Sequence, residues 1–309
     1  MGKVKLIHKY YEVVKMSKFI LSCESTVDMP YSYVTGRDIN VIFYTYTVDG
    51  VEYVDDMGRD PEALPAFHKM LRDGKMPTTS QINQYNYEEY FDEMLQKGDV
   101  LHVAFGRGMS ASVVNAMNAA KAVGEKYPDR KIIVVDTLAS ASGYGMLVDY
   151  AADMRDEGKS MEEIEKWILD NRMNCHHQIY ATDLHHLRRG GRVSGPAAMI
   201  GTVLGICPVM RLNAEGSITA YSKVRSKKKA IAETVKAMED YAQNGYDYSG
   251  KCYVSHADCI EDAETVKSMI EEKFKNVDVK IFNIGTIIAS HTGQGTLALF
   301  FMGEDRSKL

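Results

Sequence analysis

Val100-Leu101-His102-Val103-Ala104-Phe105-Gly106-Arg107-Gly108-Met109-Ser110-Ala111-Ser112, running on into Val113 to Ala120, is the stretch on which the fold turns. An apolar strand-like run, a junction with two glycines and two serines, and then a segment of helical periodicity make the strand-loop-helix unit of an α/β protein. Outward from it, Phe19-Ser22, Ile39-Val48 and Lys131-Asp136 are also strand-like, and the stretches between them carry a helical repeat. This alternation predicts an N-terminal three-layer α/β domain with a mainly parallel sheet. Asp49-Gly50 reads as a hairpin turn, and Asp60-Pro61 as the opening of a helix through Leu71. Ser160 with Glu163 forms the signature of a capping box, followed by Ile164, Trp167 and Ile168 on one helix face.

That helix ends near Asn171, and the reading divides the chain there: a basic extension over 1–15, an α/β domain over 16–172, and a second domain over 173–309. In the second domain Gln178-Thr182, Pro208-Asn213, Ser217-Val224, Lys251-Ser255, Val277-Asn283 and Thr296-Met302 read as strands. Two amphipathic helices carry the stripes Ile231, Val235, Met238 and Val266, Ile270, Phe274. The mix predicts an α+β domain with a largely antiparallel sheet.

The chain has 309 residues, 45% of them hydrophobic, enough for two domains with proper cores. A formal charge of -5 argues against a general nucleic-acid binder. Five scattered cysteines with no C-x-x-C pair suit reduced thiols in a cytosolic protein. There is no apolar run of membrane-spanning length and no secretory h-region at the N-terminus, so a cytoplasmic protein is expected.

Four loops are candidates for chemistry: Glu24-Ser25-Thr26-Val27-Asp28, Thr78-Thr79-Ser80-Gln81, the Gly106 to Ser112 junction, and Gly285 to Thr296 around His291. The first two are hydroxyl-rich and equally readable as helix caps. The third offers free backbone N–H groups at a helix start, but lacks the Lys-Ser/Thr ending of a nucleotide P-loop. In the fourth, His291 lies in a glycine-bounded turn among the hydroxyls of Ser290, Thr292 and Thr296, with Gly293 and Gly295 allowing close approach of a ligand. Brought together, such loops would make a polar cup for a carboxylate. No G-x-S-x-G elbow occurs, and the pairs His176-His177 and His185-His186 lack zinc-helix spacing, so neither covalent chemistry nor a metal is expected. Ala197 to Ile206 is almost wholly apolar and reads as a buried helix or a tunnel wall. Leu187 to Gly195 and Lys223 to Lys229 are basic clusters that could share one docking face.

Glu24 to Pro30, Thr79-Ser80-Gln81, Val135-Asp136-Thr137 with Ala139-Ser140, Leu187 to Ser194 and Gly285 to Leu299 together resemble the DegV family, in order and spacing, from Lys18 to Gly303. The resemblance implies a two-domain protein that buries one long-chain fatty acid between its domains. It also implies a non-catalytic, lipid-presenting subunit of a bacterial fatty acid kinase, working with a separate ATP-binding subunit. Carried over by motif, Thr79, Ser110 and His291 would hold the carboxylate, with Ser25, Ser80, Arg107, Gly293 and Gly295 as headgroup or loop support. Arg192 and Arg225 would serve partner docking, with transient contact to a membrane surface; no cofactor and no nucleic acid is implied. The chain departs from the family pattern at Glu24, where aspartate is usual, at Ile82, where proline is usual, and at Gly106-Arg107-Gly108, where the run is usually hydroxyl-rich. Arg107 is therefore a candidate replacement donor. The other reading from the residues is a self-sufficient enzyme using these loops and His291 on a small carboxylate or phosphate.

Overall fold

The computed structural model describes residues 19–193 and 206–309. The basic extension, Ser194-Gly195 and the apolar run up to Gly205 lie outside the described residues. In the first half the chain forms β1 (Ile20–Glu24), α1 (Tyr31–Gly36), β2 (Ile39–Ile42), β3 (Thr45–Val48), β4 (Val51–Val54), α2 (Ala63–Arg72), β5 (Thr78–Ser80), α3 (Gln84–Leu95), β6 (Val100–Ala104), α4 (Ser112–Gly124), β7 (Ile132–Asp136), α5 (Ala141–Asp156) and α6 (Met161–Asn171). The second half adds β8 (Cys175–Tyr180), α7 (Leu184–Gly190), β9 (Cys207–Leu212), β10 (Ile218–Val224), α8 (Lys227–Tyr241), β11 (Cys252–His256), α9 (Ile260–Lys273), β12 (Val279–Asn283), α10 (Thr286–Thr292) and β13 (Leu297–Met302).

A parallel sheet of order β2-β1-β6-β7 stands in the first half, as the strand-helix alternation predicts. A six-stranded sheet of order β10-β9-β8-β13-β11-β12 stands in the second; it is antiparallel except where β11 runs parallel to β12. Helix α5 lies between them. Its Tyr144 hydroxyl reaches the Val103 carbonyl of the parallel sheet at 2.7 Å, while its Ser142 hydroxyl meets Ser255 of the other sheet at 2.6 Å. This explains why α5 is buried on nearly every side, and why one hydrophobic cluster runs through both sheets.

The capping box of α6 is formed on both arms: Glu163 N donates to Ser160 Oγ at 3.2 Å and Ser160 N to Glu163 Oε2 at 2.8 Å. Asp49 and Gly50 both take positive φ, 51° and 82°, as a two-residue hairpin turn requires. One expected strand is two. Ile39-Val48 breaks at Phe43-Tyr44, so that β2 joins the parallel sheet while β3 joins a small antiparallel sheet of order β4-β3-β5. The cause is at Tyr44: its N–H is taken by Ser25 Oγ at 3.1 Å and its carbonyl by Asp55 N at 3.0 Å, leaving no ladder partner there.

The two hydroxyl-rich loops are not helix caps. Thr78–Ser80 is strand β5, and α3 is capped instead by Asn83, which accepts from Asn86 N at 2.9 Å. Glu24 is a fully buried hub rather than a loop residue. Its carboxylate accepts from Tyr87 Oη at 2.9 Å, from Phe105 N at 2.9 Å and from Tyr144 Oη, with His102 Nε2 3.3 Å away. Burial alone would raise its pKa, but His102 and the converging donors outweigh burial and hold the carboxyl below its ordinary value.

Candidate functional site

Strand β5 pairs with β3 so that Thr79 lies opposite Tyr46, and α10 packs against both strands on one side and against α7 on the other. That sandwich fixes His291, which stands in the last turn of α10. Its Nε2 lies 2.7 Å from Thr79 Oγ1, and its Nδ1 lies 3.0 Å from the Gly190 carbonyl at the end of α7. A carbonyl only accepts, so Nδ1 carries the proton and Nε2 accepts from the Thr79 hydroxyl. Burial, reinforced by the Arg192 charge, pushes the imidazole down to about 4 and keeps it neutral near pH 7.

Thr79 and His291 form one wall of a cavity of about 420 Å³. Ser110 stands in it too, from the junction between β6 and α4. Ser110 Oγ donates to Ser112 Oγ at 3.1 Å and accepts from Ser112 N at 3.2 Å, so its hydrogen must turn from Ser112 to serve an anion in the cavity. Beside these serines is the phenol of Tyr44, 2% exposed, close to Ser112 and Ser110 but in good hydrogen-bonding geometry with neither. Arg192 stands at the exposed rim, its Nη1 donating to the Gly190 carbonyl at 3.0 Å. Opposite the polar groups, Phe105, Met109, Ile218, Ile287 and Ile288 supply apolar surface. Hydroxyl donors, one guanidinium and an adjoining apolar wall suit an anionic head on an aliphatic body.

The structure thus brings together Thr79, Ser80, Ser110, Arg192 and His291. It separates the others. Ser25 accepts from Tyr44 N and lines a different cavity. Arg107 is placed elsewhere: its Nε and its backbone N–H both go to Asp136, and its side chain is absent from the cavity wall. Arg225 is exposed beyond the end of β10, away from both cavities.

The His291 segment also corrects its sequence reading. It is a short helix rather than a turn, and the hydroxyls expected around the ring are used along the backbone: Ser290 donates to the Thr286 carbonyl, Thr292 to Ile288 and Thr296 to Thr292. Gly293 and Gly295, with φ of 77° and 70°, are needed because His186 and Thr182 occupy the space where a Cβ would go, so these glycines admit protein neighbours, not a ligand. Tyr44 was not singled out by sequence, and Ser140, quoted there only as part of a family motif, also lines the cavity. Only the strand break at Tyr44 would have pointed to the first, and a continuous apolar run hides such a break.

A family model described as "Uncharacterised protein, DegV family" matches residues 18–304. A DegV domain-containing protein of Clostridium perfringens is 39% identical over 293 residues, which cover 94% of this chain and 99% of that protein. Among solved structures, a DegV lipid binding protein from Thermotoga maritima is similar with a TM-score of 0.79 at 25% identity, covering 94% of this chain and 99% of that one. A DegV family protein from Thermus thermophilus, described for its fatty acid binding, is similar with a TM-score of 0.80 at 26% identity, covering 93% and 99%. A match that begins just before β1 and closes just after β13, with relatives of the same length and fold, makes this chain a member of the DegV family.

Proposed function

We propose that this protein binds one long-chain fatty acid, with the carboxylate held by Thr79, Ser110 and His291 and the acyl chain leaving along the apolar wall. The observation that carries the reading is the convergence of these three residues, from distant parts of the chain, on one cavity with the Tyr44 hydroxyl beside them and Arg192 at its rim. Relatives described as lipid-binding and fatty acid-binding share the fold over nearly the whole chain. Each buried methylene contributes about 0.8 kcal/mol before ordering costs, so the tail supplies most of the affinity and the polar cup sets orientation.

On this reading the protein performs no chemistry alone. It presents the carboxylate, in the cytoplasm, to a separate ATP-dependent kinase subunit that phosphorylates it. The exposed cations Lys223, Arg225, Lys228 and Lys229, with Arg192 at the mouth of the cavity, form the docking face for that subunit and for transient contact with anionic lipid. Protein purified from a lipid-containing host should release a fatty acid to mass spectrometry, and delipidated protein should rebind it with one site. Acyl phosphate should form only when ATP and the kinase subunit are added. Release of no lipid and failure to rebind any would end this reading.

A further inference from the structure

A second cavity, of about 480 Å³, backs onto the first. Ser25 in its wall holds Tyr44 of the other, and Thr286 in its wall precedes Ile287 of the other. It lies past the carboxyl ends of β1, β11 and β12, reached through Ser25, Asp258 and Gly285, which is where α/β sheets hold ligands. Its wall carries Asp28, Asp55, Asp56, Asp60 and Asp258 against a single guanidinium, Arg72, which is already paired with Asp258.

Two of these carboxyls are buried without adequate partners. Asp28 is 5% exposed and neither of its oxygens has a partner in hydrogen-bonding geometry. Asp55 is 2% exposed; Oδ1 accepts from Thr286 Oγ1 at 2.8 Å, while Oδ2 has no partner. The two carboxyls are neighbours: a Cβ built on Gly285 would lie 2.7 Å from Asp28 Oδ1 and 3.5 Å from Asp55 Oδ1, the Asp55 oxygen that Thr286 holds. Independently, the His68 imidazole is 5% exposed, lines the same cavity, and has no partner at either nitrogen. Burial, and then repulsion from Asp55, drive the Asp28 carboxyl well up against a weaker pull from the Gly285 N–H, and burial moves Asp55 up to about 6 against hydrogen bonding from Ser25 and Thr286. Orphaned polar groups of this kind are costly in the absence of a ligand that satisfies them.

Three carboxylate oxygens have no donor in good hydrogen-bonding geometry, with only the Gly285 N–H near Asp28 and Ser25 and Thr286 near Asp55, and a primary ammonium has three N–H groups and the opposite charge. The remaining wall, with Met29, Leu64 and Pro65, offers an aliphatic stem somewhere to lie. Among the described residues no three His, Cys, Asp or Glu side chains converge as metal ligands. We propose that this cavity binds an organic primary ammonium on an aliphatic stem, the –NH3+ seated between Asp28 and Asp55 and the stem against Met29, Leu64 and Pro65.

The test is calorimetric titration of the full-length protein with 1,4-diaminobutane, with 1,4-butanediol as the neutral isostere. Saturable binding of the diamine, no binding of the diol, and affinity reduced about tenfold or more by Asp28→Asn are expected. Gly285→Ala is the second variant, because φ -69° and ψ 168° accept an alanine and its methyl group fills the point between the two carboxyls. Asp28→Asn should keep the wild-type melting temperature or exceed it, whereas Gly285→Ala, which forces the Asp28 carboxyl to shift, should lower it; both should retain the fatty acid, since neither position lines the first cavity. Absence of diamine binding at millimolar concentration, equal binding of the diol, unchanged binding in both variants, or displacement of the diamine by Mn2+ would each overturn the assignment.

Discussion

Thr79→Val removes a hydroxyl while keeping the shape of the side chain, and two consequences follow from where that hydroxyl sits. In the structure it donates to His291 Nε2 at 2.7 Å, while Nδ1 is held by the Gly190 carbonyl. Without it, the buried imidazole nitrogen Nε2 loses its donor, which costs about 1–3 kcal/mol of folding stability. In the complex the same hydroxyl would face a carboxylate, where a hydrogen bond to a charged group contributes about 1.5–3 kcal/mol, a ten- to 150-fold change in dissociation constant. A sixteen-carbon tail supplies roughly 12 kcal/mol of gross burial, so binding should weaken without disappearing. The assay is displacement of a fluorescent fatty acid from delipidated wild-type and variant protein by palmitic acid and, in parallel, by its methyl ester. The acid should lose affinity in the variant and the ester should hardly change, because the ester has no anionic oxygen to lose a donor. Equal losses for acid and ester, or no loss for the acid, would refute the placement of the head beside Thr79.

The proton inventory at His291 makes a second prediction: with Nδ1 committed, the ring must gain a proton at Nε2 before Thr79 can turn its own hydrogen toward a carboxylate. An arriving anion raises the imidazole from its low starting value of about 4, so binding should take up protons and tighten from pH 7 to pH 5; identical calorimetric proton uptake in His291→Gln would contradict it. Stability should fall over the same range for a different reason. His176, His177 and His291 are pushed down to about 4, 3 and 4, chiefly by burial, so the unfolded chain protonates near pH 6.5 while the folded chain does not. Their contribution is present above about pH 6.5 and is lost as pH falls toward 4, each worth roughly 3 kcal/mol. Asp55, raised to about 6, acts with the opposite sign and offsets part of the loss. A melting temperature that does not fall between pH 7 and pH 5 would count against this balance. Glu24→Ala should cost about 3–5 kcal/mol in chemical denaturation, since it strands the Tyr87 hydroxyl and the Phe105 N–H and leaves the Tyr144 hydroxyl only the Val103 carbonyl to donate to; a loss below 1 kcal/mol would mean that water replaces the carboxylate.

Much of this architecture was legible because it is local. The Ser160-Glu163 box, the Asp49-Gly50 hairpin and the buried stripes of α8 and α9 are relations between residues a few positions apart, and periodicity reports them directly. Polar loops between the strands were legible as residue types, and the resemblance to the DegV family is what singled out Thr79, Ser110 and His291 within them. What could not be read is which neighbours those side chains meet. Thr79 and His291 are 212 positions apart, and they touch only because β5 pairs with β3 and α10 is wedged between that small sheet and α7. The same long-range packing sends Arg107 to Asp136, turns Ser25 into the support of a strand break, and leaves Asp28, Asp55 and His68 facing a shared void. The sequence by itself determined the elements and the stock of donors, since both depend on the covalent chain and its nearest turns. Only the tertiary structure decided which donors were consumed internally and which were left open to a ligand, because hydrogen-bond satisfaction depends on every surface that closes around a group.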